Sequence, residues 1–395
     1  MATDVLPLEG VTVIDLTQVV AGPFATMNLG DLGAEIVKIE AVGRGDRSRG
    51  IEPDPQYFDT VNRNKHSVAV DLKTDEGQAL VRDLVADADV LVESMKPGRP
   101  EAFGLAYEDL RDLNPELIYC SISGFGRDSP YEDLPAWDLL IQAMSGIMSV
   151  TGVEDGPPLW SGFPSGDIVA AMFASQSVLA ALYARERGLI ETEWIEVPML
   201  DAAIATLTAR AGHTFGTGEP FPRLGVRHPT ISPFGVFECA DEAIVIAAGT
   251  DSLWADLCAV LDREDLVSDE RFETIPDRVE NVETLRDIIE SELGAADADT
   301  WVERLQARQV PAGPIHDTRS VWADEHVRRH ELRRTMAREG RPDAEVIDHP
   351  VHFSALVTEL GEPPEALGGS TTELLTERGY SEAEIAELRE AGVVQ

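Results

Sequence analysis

Lysine is nearly missing from this chain. Its 395 residues hold only four, Lys38, Lys65, Lys73 and Lys96, and the 32 basic side chains face 72 Asp and Glu, a formal net charge of −40. So anionic a surface repels another polyanion, which excludes nucleic acid as a partner. Cysteine is scarce as well. Cys120, Cys239 and Cys258 are odd in number and lack metal-ligand spacing, so neither a disulfide framework nor a metal site is expected and the compartment reads as reducing. No apolar run approaches the ~20 residues of a membrane span. The opening MATDVLPLEG lacks the basic start and apolar stretch of a secretory signal. A soluble, cytoplasmic protein without a membrane partner is the expectation. What the chain does have is apolar material: 43% hydrophobic residues provide for a real core and argue against disorder. At roughly 150 residues per domain, the length suggests two to three domains.

Net charge of this size destabilises a compact fold unless it is screened. At about 1 M salt the Debye length is roughly 3 Å, which removes most of the repulsion. Acid excess with few lysines therefore fits a cytoplasm held at molar salt, as in halophilic archaea, and low salt is expected to unfold or inactivate the protein. The positive charge is also unevenly placed. Residues 38–99 contain all four lysines together with Arg44, Arg47, Arg49, Arg63, Arg82 and Arg99, ten basic side chains to twelve acidic ones. A phosphate-bearing ligand bound by this window gives a physical reason for its near neutrality.

Strands and helices alternate through the first half. Val11–Leu16, Glu35–Glu40, Ser67–Leu72, Val90–Glu93, Leu117–Ile122 and Trp194–Pro198 read as buried strands. A helix is expected to open near Pro23, where proline suits the first turn. Another spans EGQALVRDLVADAD, whose Leu80, Val81, Leu84, Val85 and Ala88 share one face. A long helix is expected from Ile168 to Arg187, with Gly188 ending it. This alternation argues for an α/β fold with a largely parallel sheet covered on both faces. The loop GRGDRSRG (43–50) follows a strand, but its glycine spacing departs from the dinucleotide fingerprint, and no Walker sequence occurs. Gly and Pro concentrate around 212–232, the best candidate boundary. Beyond it lie a strand–turn–strand (PFGVFECADEAIVIAAG), helices from Ser252 to about Leu293 and from Thr300 to Arg308, and a final helix in the last sixteen residues.

Asp167 stands where the loop GPPLWSGFPSG meets the long helix. A carboxylate there faces unpaired N–H groups and the positive end of the helix dipole, so it is expected to stay ionised, on a buried and rigid support. Asp is also a common N-cap, and a capping role alone would explain it.

Nine blocks in order then carry a resemblance: LEGVTVIDLTQVVAGPFATMNLGDLGAEIVKIE, GRGDRSRG, NRNKHSVAVDLKTDEG, VLVESMKPG, LNPELIYCSISGFG, PAWDLLIQAMSGIMSVTG, SGFPSGD, HPTISPFGVF and QVPAGPI. Together they resemble the class III CoA-transferases, of the formyl-CoA and carnitine CoA-transferase type. The resemblance places the family's nucleophilic aspartate on Asp167. It implies CoA contacts at Val20, Ala21, Val70, Asp71, Leu72, Lys73, Ser94, Met95, Lys96, Pro135, Ala136, Trp137 and Asp138. Two family arginines fall on Ala41 and Ala102 here, so Arg44, Arg47 or Arg99 are the candidates for phosphate contacts.

The implied chemistry is covalent: a carboxylate attacks an acyl-CoA thioester and then carries CoA itself as an aspartyl thioester. Coenzyme A and acyl-CoA are substrates, and no permanently bound cofactor is expected. A succinyl-CoA-like donor and a mesaconate-like dicarboxylate acceptor suit the salt-rich setting. The implied architecture is a large Rossmann-like parallel-sheet domain (1–211 and 330–395), a linker and small α+β domain (212–329), and two protomers interlocked as a homodimer. Two other functions stay open: an α-methylacyl-CoA racemase and a non-catalytic CoA-binding homologue. The racemases place a catalytic His where this chain has Trp137, and indole cannot accept a proton. His228 matches a family block, with a structural hydrogen bond as its expected role.

Overall fold

Six short strands form one wholly parallel sheet in the computed structural model, which describes residues 5–51, 54 and 56–395. Residues 1–4 of the opening stretch lie outside that range. The strands are β1 (Thr12–Leu16), β2 (Glu35–Glu40), β3 (Lys65–Ala69), β4 (Val90–Glu93), β5 (Ile118–Ser123) and β6 (Glu193–Pro198). Their spatial order is β3-β2-β1-β4-β5-β6, so the order reverses at β1, which pairs with both β2 and β4. Alternate strand residues supply the two faces. Val13, Ile36 and Val92 pack with helix α1 (Ala21–Gly30) and with Ala170, Ala174 and Val178 of the long helix Ser165–Glu186. Ile14, Val37 and Leu91 pack on the other side with Leu80, Val81, Leu84 and Val85 of helix α2 (Asp75–Ala86). Thr74 caps α2 by accepting from the Gly77 N–H, and Leu375 and Ile385, from two C-terminal helices, complete this layer.

Three expectations need correction. The third strand pairs over 65–69, not 67–72, because Val70 leaves the sheet to meet Val394 in an isolated bridge; there the Asp71 N–H donates to the Val393 carbonyl at 2.8 Å. The long helix starts at Ser165, with Pro164 as its N-cap, so Asp167 sits inside the first turn rather than at the cap. Finally, this helix has 22 residues and is apolar enough to cross a membrane by length and composition, which the reading of apolar runs overlooked. Its small residues bury one face in the core, while Met172 (57% exposed), Phe173 and Tyr183 (62%) stand on a face the chain leaves open. The helix is thus half-covered, not a fully buried support.

The chain divides into two compact units, one of residues 1–147, 160–209 and 326–395, the other of 148–159 and 210–325. The second has its own core around Trp254, Phe272 and Trp301, under an antiparallel sheet of β7 (Phe234–Glu238), β8 (Ala243–Ala247) and β9 (Ala312–Pro314). The third strand escapes sequence reading because three residues, Ala-Gly-Pro, carry no alternation.

Candidate active site

In an open parallel sheet, ligands settle at the carboxyl ends of the strands where the order reverses. Here every strand of the six-stranded sheet sends the residues at its C-terminal end to one cavity of about 670 Å³. Gln18–Ala21 follow β1; Ala41, Arg44 and Arg47 follow β2; Val70–Lys73 follow β3; Ser94–Lys96 and Arg99 follow β4. Gly124–Gly126 follow β5, and Met199 follows β6. Pro135–Asp138 and Asp167 line the same space. Every site residue expected from the sequence therefore meets in one cavity, Arg44, Arg47 and Arg99 included. Among the described residues no histidine lines it. The loop Gly43–Gly50 reaches the cavity without opening a helix: among the described residues between β2 and β3 the helical element is a single turn, Asp59–Val61, which fits its departure from the dinucleotide fingerprint.

Asp167 differs electrostatically from the expectation. The N–H groups at the start of its helix are already engaged: Asp138 Oδ1 accepts from the Gly166 N–H at 2.8 Å and from the Asp167 N–H at 3.4 Å. Asp138 Oδ2 accepts from Gln142 Nε2 at 2.6 Å and Trp160 Nε1 at 3.1 Å. Asp138 is thus a cap supplied from another helix, with four donors around it. Burial, and then the negative charge of Asp138, push the Asp167 carboxyl up to about 7. Instead of being held firmly ionised by the helix end, it is poised to change protonation state near neutrality. Tyr57, which the sequence reading missed, lies in the same field: burial, then Asp167 and Asp138, raise its phenol. No spacing rule links positions 57, 138 and 167, so nothing in the sequence pointed to it.

Cations gather on the cavity wall. Among the described residues Arg44, Arg47, Lys73 and Arg99 pair with no carboxylate, although the chain has more than two acids per base. Arg99 lies over the Phe103 ring at 5.1 Å, and Lys96 makes an exposed contact with Asp133 at 3.3 Å, a pair of little energetic weight. The other two lysines correct the reading that all four mark a ligand. Lys38 and Lys65 do not line the cavity; they are buried, in ion pairs with Asp15 and Asp46. Trp137 is 65% exposed and faces the cavity rather than packing in the core. His228 lies in the smaller unit, where its Nδ1 accepts from the Thr230 N–H at 3.3 Å.

Comparison with known proteins agrees with this geometry. The family model of CoA-transferase family III matches residues 8–371. The human succinyl-CoA:glutarate CoA-transferase is 35% identical over 99% of this chain and 90% of that protein. The succinyl-CoA:mesaconate CoA-transferase of Haloarcula marismortui is 36% identical over 94% of this chain and 96% of that protein. Among solved structures, a CAIB/BAIF family protein from Brucella suis superposes with a TM-score of 0.87 at 33% identity, over 94% of this chain and 99% of that one. A chain whose parallel strands end on an aspartate and a set of cations, and which these relatives match over nearly its whole length, belongs to CoA-transferase family III.

Proposed function

We propose that the protein transfers CoA from a succinyl-CoA-like donor to a small dicarboxylic acid through an aspartyl-CoA intermediate on Asp167. The observation that carries the reading is the Asp167 carboxyl: it lines the large cavity, no donor holds it among the described residues, and it is pushed up to about 7. A carboxylate that retains this much basicity and is partly shielded from water is a better nucleophile than a fully solvated one.

An Asp167 oxygen attacks the thioester carbonyl, and the C–S bond breaks to give a mixed anhydride and CoA thiolate. The thiolate then attacks the Asp167 carbonyl of the anhydride, forming the aspartyl-CoA thioester and releasing the donor acid as carboxylate. The acceptor carboxylate repeats the exchange in reverse: its oxygen displaces the thiolate to give a new anhydride, and the thiolate attacks the acceptor's carbonyl. Asp167 leaves with the electron pair, so each cycle closes without net proton or electron change. Arg44, Arg47, Lys73 and Arg99 would hold the phosphates of CoA. Dicarboxylate specificity is supported by the substrates in the names of the human and Haloarcula relatives.

Trp137 in the cavity, with no histidine beside it among the described residues, supports transfer over racemisation, which needs a second base. A second copy of the chain is the proposed cover for Met172, Phe173 and Tyr183, giving the interlocked homodimer, with light scattering in 2–3 M KCl as its check; a monomer at micromolar concentration would oppose it. The mechanism is tested by mass spectrometry during turnover. A CoA adduct on the peptide containing Asp167, absent in Asp167→Asn, is the expected result. Thioester exchange at an ordinary rate in that variant would overturn the reading.

A further inference from the structure

Val19 has a φ of +71°. A β-branched residue in the left-handed region is a true outlier, and such strain persists only where the surroundings over-determine it. They do so here. The Val19 N–H donates to Asp46 Oδ1 at 3.1 Å, and the neighbouring Gln18 N–H donates to Ser94 Oγ at 3.1 Å. The Thr17 N–H donates to Asp15 Oδ1 at 2.8 Å, and the Thr17 carbonyl accepts from Lys38 Nζ at 2.9 Å. Gly22 closes the turn because a Cβ there would stand 2.2 Å from Thr17 Cβ.

The Asp46 carboxylate that restrains Val19 is itself fixed. Lys38 Nζ lies 3.0 Å from its Oδ2, and Ser48 donates both N–H and Oγ–H to its Oδ1 at 2.8 Å. Lys38 and Asp46 are nearly inaccessible to water, and the second pair, Lys65 with Asp15 at 3.0 Å, is packed against the first. Burying four charges costs more than their attraction returns unless every one is satisfied, so such a set is weak support for stability alone. What it does is bond the chain at Thr17, Val19 and Pro23, within and on either side of Gln18–Ala21, the segment that leaves β1 and walls the cavity shared with Asp167.

We propose that Lys38 and Asp46 are positioning residues: their buried ion pair holds Val19 in the left-handed conformation and so sets the Gln18–Ala21 wall against which the thioester is aligned for Asp167. The inference rests on the transferase reading above and deepens it. A wall displaced by about 1 Å is enough to cost about 10²-fold in turnover, because the reacting atoms leave their attack geometry.

The experiment uses the full-length protein in 2–3 M KCl, with kcat and KM measured separately for an acyl-CoA donor. Asp46→Asn is expected to lose about 10²-fold in kcat with a KM change of only a few-fold. Glycine adopts φ near +71° without strain, so adding Val19→Gly to Asp46→Asn is expected to recover at least about 10-fold of kcat, since the turn then no longer needs its restraint. The double variant Lys38→Met/Asp46→Asn, which removes both charges, is expected to regain folding stability but not kcat. Recovery of kcat together with stability in that double variant would reduce the pair to charge balance and overturn the proposal. So would a wild-type kcat in Asp46→Asn, or no rescue by Val19→Gly. Should Asp46→Asn fail to fold, the same comparison is made with Ser48→Ala, which slackens the carboxylate without unbalancing charge. Asp167→Asn assayed alongside separates the two ideas: if it stays active, the transferase reading fails; if it is dead while Asp46→Asn turns over normally, only the positioning role fails.

Discussion

Replacing Asp167 by Asn should remove transfer and yet make the protein more stable, with a gain that depends on pH in one direction. Folding moves the Asp167 carboxyl from its ordinary 3.8 to about 7, through burial first and then the charge of Asp138. A carboxyl raised in this way favours the fold while protonated. Its contribution is full below the unfolded value and is lost as pH rises through about 7. Above that pH the native protein holds an ionised group in a place that resists it, whereas asparagine brings no charge. At about 1.4 kcal/mol per pH unit the displacement sets a ceiling of about 4 kcal/mol. The cavity is open to water, and the start of the long helix offsets about 0.5–1 kcal/mol for an anion in its first turn, so about 2 kcal/mol is the working figure. Urea unfolding of both proteins in 2–3 M KCl, at pH 8 and pH 4.5, measures it. Asp167→Asn should be about 2 kcal/mol more stable at pH 8, and the difference should shrink as pH falls toward 4. A variant no more stable than the parent at pH 8, or a difference independent of pH, would refute the electrostatic account of this site.

The proposed mechanism needs Asp167 ionised, so kcat/KM should rise with pH through about 7 and then level. Asp138→Asn keeps an oxygen for the Gly166 N–H but loses the charge. Because burial is the larger cause, the midpoint should fall by about one pH unit, and an unmoved midpoint would count against the pairing. Arg44→Ala, Arg47→Ala and Lys73→Ala should each raise the donor KM about 10-fold, the worth of a charge-assisted hydrogen bond, with kcat nearly unchanged. An acyl-pantetheine donor, which lacks the phosphates, should be indifferent to all three; equal losses with that donor would remove them from the phosphate site. Transfer into 50 mM salt lengthens the Debye length and restores self-repulsion among the −40 charges, so circular dichroism should show unfolding; full structure and activity there would refute the screening argument.

The sheet was legible because both its faces are buried, which turns each strand into a short β-branched or aliphatic run; Val90–Glu93 matches residue for residue. Helix α2 showed itself through Leu80, Val81, Leu84 and Val85 on one stripe. Less legible were elements whose pairing, not composition, defines them. The third strand stops at Ala69 because the chain turns toward the cavity, and the hairpin Arg333–Met336 with Ala344–Ile347 is too polar to stand out. At the site, Asp167 could be found from its place before an apolar helix and from the family blocks. Asp138 was reached only as an implied CoA contact; its part in raising the Asp167 carboxyl could not be read, because it stands 29 residues away on another helix and acts through space.

The lysines show most clearly what composition can and cannot say. Their clustering pointed to a ligand, and Lys73 and Lys96 do line the cavity, but Lys38 and Lys65 answer to a different demand. Lys65 Nζ donates to Asp15 Oδ2 at 3.0 Å, the Pro23 carbonyl at 2.8 Å and Thr26 Oγ1 at 2.8 Å, three acceptors around a single point. An ammonium satisfies that arrangement, whereas a planar guanidinium spreads its donors in a fork and needs more room. In a chain that otherwise uses arginine for nearly all its positive charge, lysine at position 65 therefore stands where a compact cation is required. The sequence shows only that four lysines fall within 38–99; the fold separates the pair that lines the cavity from the pair that is buried and does not.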